Sequence, residues 1–539
     1  MMRRLFNLAR DKRGAVAPTV ALSLFALIGA GGIAFDYARL ASLDTELQNA
    51  ADQAALAAAT QLDQQVGSVA RATAAAQGLF ANNTLFANDG NIANRAVTIP
   101  SVLFYATKAN AEAANGQACP TAGAVTLDTT ARFVCVQTGT RFAKYAMTPV
   151  VGAMMSGNIS AMAVAGLGAA ICKTPPVMIC NPQETGTNLT FDATGLRGVG
   201  LRLVSVGGGS GGWAPGNFGY LDTNGGSNGA PGLREALGWE TPPGNCNPTS
   251  GVDTKPGATV SVTGALNTRF DIYDSNVDCP SGGNCGASIN SVKDLIRPAN
   301  ASGGNACRIH NNGWQEVAAG QRYLPTSPTT ALPITTTPGS MGHPRDMCHA
   351  VDSAVTGACT GPIGNGLWDR NAYFRSHYRR STNTRWSASE WPINTGLPAN
   401  ASRYQVYKWE YENRGTVVDG VTVLNPNPTG ATGNTPVAYG LPQCSAGQGY
   451  GTGIVPAATV PDRRRISVAV VNCVAQSVNG AESNLSVVKW IDVFLVQPSL
   501  NRTRTNAGDV YAEVIGETQT GAGQTAGQVV RRDLPYLVK

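Results

Sequence analysis

The sequence AVAPTVALSLFALIGAGGIAF, residues 15–35, contains no charged side chain and is mostly apolar. About 20 such residues suffice for a helix to cross the hydrocarbon core of a bilayer. Basic residues precede the run at Arg3, Arg4, Arg10, Lys12 and Arg13, and a basic flank favours the cytoplasmic side of a membrane. The sequence therefore predicts a cytoplasmic tail over 1–14, a transmembrane helix over 15–35 and an extracytoplasmic remainder.

A cleaved secretory signal is the competing interpretation. Its apolar region would be shorter and would end at a small-x-small cleavage site. Here the run passes directly into Asp36-Tyr37-Ala38-Arg39-Leu40, which continues a helical pattern, so we favour a retained anchor. The helix also carries small residues four apart, at Ala26, Ala30 and Ala34. This spacing favours close helix packing in a membrane, although small residues are common in such helices.

The helical pattern continues beyond the apolar run. No Gly or Pro interrupts residues 36–66, and alanine, the best helix former, is frequent there. We therefore predict an extended helix over 36–66 that ends at Gly67. One face forms an apolar seam with helical spacing, which consists of Leu40, Leu43, Leu47, Ala50, Ala54 and Ala57. Such a seam needs a partner, either another helix or the chain's own sheet, and we expect it to bind a partner protein.

The composition indicates an exported protein rich in loops and strands. Only 14% of the 539 residues are charged, and Gly (63) and Pro (31) are plentiful, which suits a compact helical enzyme poorly. The net charge of +6 is modest and indicates no nucleic-acid partner. Runs rich in Val and Ile at 465–474, 486–496 and 510–515 predict strands. The predicted fold class is α+β, with one long N-terminal helix and a strand-rich, disulfide-containing extracytoplasmic region.

Three further segments are predicted after residue 66. A first α/β unit covers 67–176, and within it residues 142–155 are apolar with helical spacing. A Gly/Pro-rich, loop-rich region covers 177–460, and a β-rich segment covers 461–539.

Twelve cysteines, all beyond the apolar run, indicate an oxidising compartment with structural disulfides. None forms a Cys-x-x-Cys pair, so zinc-ribbon and thioredoxin-like sites lose their main support. Spacing does not determine connectivity, and pairing by proximity gives only candidates. These are Cys119 with Cys135, Cys172 with Cys180, Cys279 with Cys285, Cys348 with Cys359, and Cys444 with Cys473.

The N-terminal region carries a recognisable motif. It reads Asp11-Lys-Arg-Gly14-Ala-Val-Ala-Pro18, then Asp36-Tyr37-Ala-Arg39, then Leu47-Gln-Asn-Ala-Ala-Asp52-Gln-Ala-Ala-Leu-Ala57. This pattern resembles the TadE/TadG-like family of Flp pilus assembly (tight adherence, Tad). Parts of the C-terminal segment look similar, including Arg463-Arg-Arg465 and Trp490-Ile-Asp492.

The resemblance implies a bacterial inner-membrane component of a type IVb pilus machine, with its bulk periplasmic or at the cell surface. It would be a minor pilin-like or assembly protein that contacts other pilus-assembly proteins and the membrane. Two family features are absent. Many TadG-like members carry a von Willebrand A metal site, but Cys180-Asn-Pro-Gln-Glu184 lacks the Asp-x-Ser-x-Ser motif. The fifth residue after Gly14 is Thr19, not the Glu that accompanies prepilin processing.

No motif predicts catalysis, so we expect no enzymatic activity, no resident metal and no cofactor. Gly207-Gly-Gly-Ser-Gly-Gly212 lacks the Lys-Ser/Thr of a phosphate-binding loop. His343, Asp346, Cys348 and His349 are close enough in sequence to suggest zinc, but their spacing matches no standard site. We favour a disulfide loop with exposed histidines.

The densest cluster of aromatic and basic side chains runs from Trp368 to Tyr411. Outside the cytoplasm such a cluster suits a glycan or a partner protein, because Trp, Tyr and Arg dominate interface hot spots. The alternative, which we favour, is a domain core that arginine stems cover. A surface adhesin or glycan-binding protein therefore stands as the second functional hypothesis.

Overall fold

The structure is a computed structural model of the chain. It describes residues 16–62, 66–78, 83–87, 96–113, 118–128, 130–151, 156–172, 174–204, 217–223, 229–244, 247–248, 251–257, 260–351, 359, 361–445, 453–456, 462–518 and 530–538. The chain forms two compact units, Met1–Gly168 with Asp533–Lys539, and Ala169–Arg532. The C-terminal segment 461–539 is thus divided between the two units.

The first unit is built on helix α1, Val16–Ala59. The helix ends before the predicted residue 66, because the amides of Gln61 and Leu62 donate to carbonyls three residues back, at 3.0 and 3.1 Å. Such bonds tighten and close a last helical turn. Helix α2, Ser68–Gln77, follows, and the carboxylate of Asp128 accepts the amide of Val69 at its start, at 2.9 Å.

An antiparallel sheet covers one face of α1. The strand order is β2-β1-β3-β6, the C-terminal strand β21 pairs with β6, and Val538 just after β21 bonds to Val164 of β6. A short helix, α3 (Lys108–Glu112), follows β1. The strands are β1 Ser101–Tyr105, β2 Ala124–Val125, β3 Phe133–Gln137, β6 Met162–Cys172 and β21 Val530–Leu537.

Apolar spacing suggested a helix over 142–155, of which the structure describes residues 142–151, and these form a strand followed by a turn. Strand β4 (Arg141–Lys144) pairs with β5 (Ser156–Ile159), and Thr148–Val151 forms a 3-10 turn. Burial alternates residue by residue along β4, which is the period of a strand. The helical prediction was therefore wrong at this position.

The second unit contains a mixed sheet in the order β7-β18-β19-β20-β8. Strand β7 runs parallel to β18, the other pairs are antiparallel, and β11 also pairs with β19. The three predicted C-terminal runs form its central strands. The bounds are β7 Met178–Cys180, β8 Gly200–Val204, β11 Gly251–Val252, β18 Arg465–Val471, β19 Leu485–Leu495 and β20 Val510–Glu517.

Short ladders and helices complete this unit. The ladders join β9 (Asn217–Leu221) to β12 (Thr254–Pro256), β10 (Asn247–Pro248) to residues 170–171 of β6, β13 (Leu295–Pro298) to β14 (Gln315–Glu316) and β17 (Pro436–Val437), and β15 (Val417–Val418) to β16 (Val421–Thr422). The helices are α4 Ala230–Gly238, α5 Thr263–Asn267, α6 Met347–Ala350, α7 Arg370–His377, α8 Glu390–Thr395 and α9 Arg403–Glu412. The fold is thus α+β, with one long apolar helix followed by strand-rich structure.

Candidate functional site

Helix α1 changes character along its length. Side chains in its first 20 residues are mostly exposed, including Leu22, Leu27 and Phe35 at 70%, 69% and 60%. Among the described residues, α1 is the one helix long and apolar enough to cross a membrane. Burial becomes regular from Asp36 onward. The point where the exposed part meets the packed part is the candidate functional site.

Asp36 marks this junction. Its Oδ1 accepts the amide of Ala146 at 2.9 Å, and its Oδ2 accepts those of Met147 and Thr148 at 2.9 and 2.7 Å. The side chain is only 2% exposed. Burial alone would raise the pKa of Asp36, but the three backbone donors outweigh it and lower the pKa to about 2. The carboxylate is therefore charged and fixes the start of the Thr148–Val151 turn to α1.

Gly32 lies one helical turn before Asp36, and Met147 of the segment bound by Asp36 packs against it. A Cβ atom added at Gly32 would lie 2.4 Å from the Cβ of Met147 and 3.6 Å from its Cα, whereas one added at Gly31 would meet nothing within 4 Å. Position 32 thus needs glycine for a close approach of two backbones. Asp36 and Gly32 together form what we call the clamp.

The predicted partner-binding seam lies against the chain's own sheet. Leu43, Leu47, Ala50 and Ala54 are 0–3% exposed, and Leu40 and Ala57 are partly buried. Leu43, Leu47 and Ala54 belong to the core that includes Val134, Val136 and Ala163 of the sheet. The seam is therefore filled by the protein itself, which was the second possibility that the pattern left open.

Other helix residues are buried beside the seam. Sequence spacing did not single out Ala51, Ala55, Ala58 and Ala59, all at 0% exposure. A helix face wide enough to include them is expected when a flat sheet, rather than one other helix, covers it. In contrast Ala26, Ala30 and Ala34 are exposed, and the small residues buried in this part of α1 are Gly29 and Gly32.

Polar side chains of α1 also bind the chain's own backbone. Glu46 accepts the amide of Leu85 at 3.0 Å, and the Nε of Arg39 donates to the carbonyl of Phe86 at 3.0 Å. The motif residues Asp36 and Arg39 thus have structural partners within the first unit.

Five disulfides occur among the described residues, at Cys119–Cys135, Cys180–Cys473, Cys279–Cys285, Cys307–Cys444 and Cys348–Cys359. Three match pairs predicted from proximity. The predicted pairs Cys172–Cys180 and Cys444–Cys473 are wrong, because sheet pairing brings β7 beside β18 and thus Cys180 to Cys473, 293 residues apart. The side chain of Cys172 lies outside the described part of the structure, as does the Gly207–Gly212 loop.

The histidines near the Cys348–Cys359 bridge are buried, which corrects the expectation that they are exposed. His343 and His349 are 0% and 5% exposed. The ligand atoms of Cys348, His349 and Cys359 lie within 4.8 Å of one another, but both sulfurs are used in the disulfide. Cys180, where a von Willebrand A site would begin, is likewise disulfide-bonded.

The aromatic cluster from Trp368 to Tyr411 is a core. Tyr373, Phe374, Trp386 and Tyr407 are fully buried, and Trp368 is 2% exposed. The ring of Phe374 stacks on that of Trp391 with centroids 4.6 Å apart. These faces are covered by protein, so the cluster offers no stacking platform for a glycan, and the core interpretation holds.

This core also contains a buried polar network that no sequence pattern predicted. Glu410 lies at its centre with 1% exposure. It accepts hydrogen bonds from Tyr373, from Tyr378 at 2.9 Å and from Asn290 at 2.6 Å, and it lies 3.4 Å from the Nε2 of His343. Burial lowers the pKa of His343 to about 4, although Glu410 opposes this shift.

Buried arginines connect the network to the sheet. Arg403 is 0% exposed and pairs with both Asp346 and Glu513, at 2.8 Å for the latter. Arg464 is also fully buried, and its Nε donates to the carbonyl of Leu495 at 3.0 Å. Such charges are stable in a core only when their donors are satisfied. A sequence cannot distinguish them from surface arginines, because the acceptors are distant along the chain.

These observations define a class of protein: an α+β protein whose N-terminal candidate transmembrane helix continues into the core of its first unit. Residues 14–61 match the model of the Tad family, described as Flp pilus-assembly TadE/G-like. The N-terminal region is therefore a TadE/G-like domain, and the match coincides with α1 and its closing turn. Comparisons with curated proteins and with solved structures find no match.

Proposed function

We propose that the chain is a membrane-anchored, non-enzymatic component of Flp (type IVb) pilus assembly. It acts through protein contacts as a minor pilin-like or assembly protein, with a cytoplasmic N-terminus and its bulk periplasmic or at the cell surface. The observation that carries the proposal is the family match over 14–61, which falls on a helix that begins with 20 uncharged residues, 18 of them exposed.

The partner surface is the exposed face of α1, because the opposite face packs on the sheet. This face carries small side chains, at Ala26, Ala30, Ala34, Ala38 and Ala41. Small residues permit close approach of a second helix. Other pilus-assembly proteins with apolar N-terminal helices are the expected partners.

Genetic removal tests the role. A strain that lacks the chain should lose surface pili, and the complete chain should restore them. Ala41→Arg, on the exposed face, should keep normal protein levels but reduce piliation and co-purification with pilus components. Gln53→Arg, exposed on a different side of α1, serves as the matched control. Normal piliation in the deletion strain would contradict the proposed function.

Topology is tested separately. A periplasm-specific reporter fused after Val66 should be active, because basic flanks stay cytoplasmic. Activity of a cytoplasm-specific reporter at the same position would reverse the proposed orientation.

A further inference from the structure

The first unit contains a second apolar element at the level of the membrane boundary. The Tyr145–Val151 segment contains no charged residue, and its Met147 lies against Gly32 of α1. Gly32 belongs to the uncharged run that ends at Phe35. With a rise of about 1.5 Å per residue, Gly32 lies roughly 5 Å inside the end of that run.

The side chains around this contact suit the edge of a bilayer. Met147, Phe35 and Ile33 are 48%, 60% and 45% exposed. Above them, Tyr37 is 70% exposed, and Lys144 is exposed at the end of β4. Aromatic and basic residues typically lie at the headgroup level, next to an apolar layer.

The clamp fixes the height of the segment relative to the helix. Asp36 holds three successive amides, from Ala146 to Thr148, and Gly32 removes the side chain that would otherwise displace Met147. A loose loop could move away from the bilayer, whereas this one is bonded to the anchor itself. The Asp36 carboxylate is satisfied by backbone donors, so its charge does not prevent it from lying at the membrane surface.

We propose that Tyr145–Val151 is a membrane foot, which inserts Met147 into the interfacial layer of the bilayer beside the anchor helix. The occupant of this apolar surface is lipid, because the surface is continuous with the proposed membrane span. The inference rests on the proposed membrane anchor. The foot gives the first unit a second point of membrane contact and so restricts its tilt and rotation.

Depth-dependent quenching tests the foot. In the Met147→Cys variant, an environment-sensitive fluorophore is attached to the new thiol. The labelling uses no reducing agent, so that disulfide-bonded cysteines do not react. The unsubstituted chain, labelled in the same way, gives the background. The full chain is placed in vesicles of phosphatidylethanolamine and phosphatidylglycerol with spin-labelled acyl chains. Leu127→Cys is the matched control, because Leu127 is 65% exposed and adjoins Asp128, which binds the amide of Gly67 beyond the far end of α1.

We expect several-fold stronger quenching at position 147 than at position 127. In the Met147→Cys chain, Gly32→Ala should weaken the quenching, because its Cβ would collide with residue 147, while Gly31→Ala should not. Equal quenching at 147 and 127 in vesicle-bound protein would overturn the foot. So would crosslinking of position 147 to a second protein without lipid quenching. Failure of the chain to float with vesicles would instead count against the proposed anchor.

Discussion

The Oδ2 atom of Asp36 accepts the amide of Thr148 at 2.7 Å, across 112 residues of sequence. This bond gives a physical role to the Asp-Tyr-x-Arg part of the N-terminal motif. The acid does not face solvent or a partner; it fastens a distant turn to the helix just after the apolar run.

Asp36→Asn should release this turn. The asparagine side chain has one acceptor oxygen, and its NH2 group would face backbone N–H donors instead of accepting from them. Buried backbone donors then lose their partners, which costs about 1–3 kcal/mol of stability. We expect faster hydrogen exchange at the amides of Ala146 to Thr148, measured by mass spectrometry. Asp44→Asn, exposed on the same helix, is the control and should leave these amides protected. Unchanged protection in Asp36→Asn would contradict the clamp.

Ala54→Arg should unfold the first unit. Ala54 is 1% exposed in the core between α1 and the sheet, and an arginine there is both too large and unpaired. Low protein levels and protease sensitivity are the expected results, measured in membrane fractions. Gln53→Arg places the same cation on an exposed neighbour and should be tolerated. Normal levels of Ala54→Arg would show that the seam is not packed as described.

Mild acid should destabilise the second unit. Burial lowers the pKa values of His343 and His377 to about 4, with Glu410 opposing both shifts, whereas an unfolded histidine titrates near 6.5. The unfolded state therefore binds protons first, and stability falls as the pH decreases from about 6.5 to about 4. The loss is up to about 3 kcal/mol for each histidine.

Urea unfolding of the detergent-solubilised chain at several pH values measures this effect. His343→Gln should reduce the slope of stability against pH, and the exposed His310→Gln is the comparison. A stability that stays constant from pH 7 to pH 5 would rule out buried neutral histidines.

The bridge between Cys180 and Cys473 should stabilise the second unit more than the one between Cys279 and Cys285. Their sequence separations are 293 and 6, and a disulfide restricts the unfolded chain more when it closes a longer loop. Replacing the long-range pair by serine should cost toward the upper end of about 2–5 kcal/mol. Non-reducing urea titrations of the two double-serine variants provide the comparison, and equal midpoints would contradict the expectation.

Local patterns in the sequence predicted which helices and strands form. They predicted less well which of these elements pack against each other. The α1 helix and strands β18, β19 and β20 follow from apolar runs and propensity. The partner of the α1 seam does not, because a stripe of Leu and Ala suits a sheet as well as a second helix. The Tyr145–Val151 turn was missed because its conformation depends on Asp36, which lies more than 100 residues earlier.

The interior of the second unit shows a similar limit. Proximity in sequence predicts disulfides that close short loops. Cys180 and Cys307 instead bond to cysteines that are distant in sequence and become close only in the folded chain. The aromatic cluster was visible in sequence, whereas its burial depends on how α7, α8 and α9 enclose it. Residue type alone predicts that charged residues such as Arg403 and Glu513 lie on the surface. Their buried positions are stable because the two side chains form an ion pair.

Residues 533–538 complete the sheet of the first unit, whose other strands precede them in the chain. The amide of Val538 donates to the carbonyl of Val164 at 2.7 Å, so this part of the edge of β6 stays unpaired until residues 533–538 have been synthesised. An open edge strand is a template for wrong pairing and aggregation. Folding of the first unit therefore depends on residues 533–538, and a chain truncated before them would expose a strand edge that is prone to aggregation.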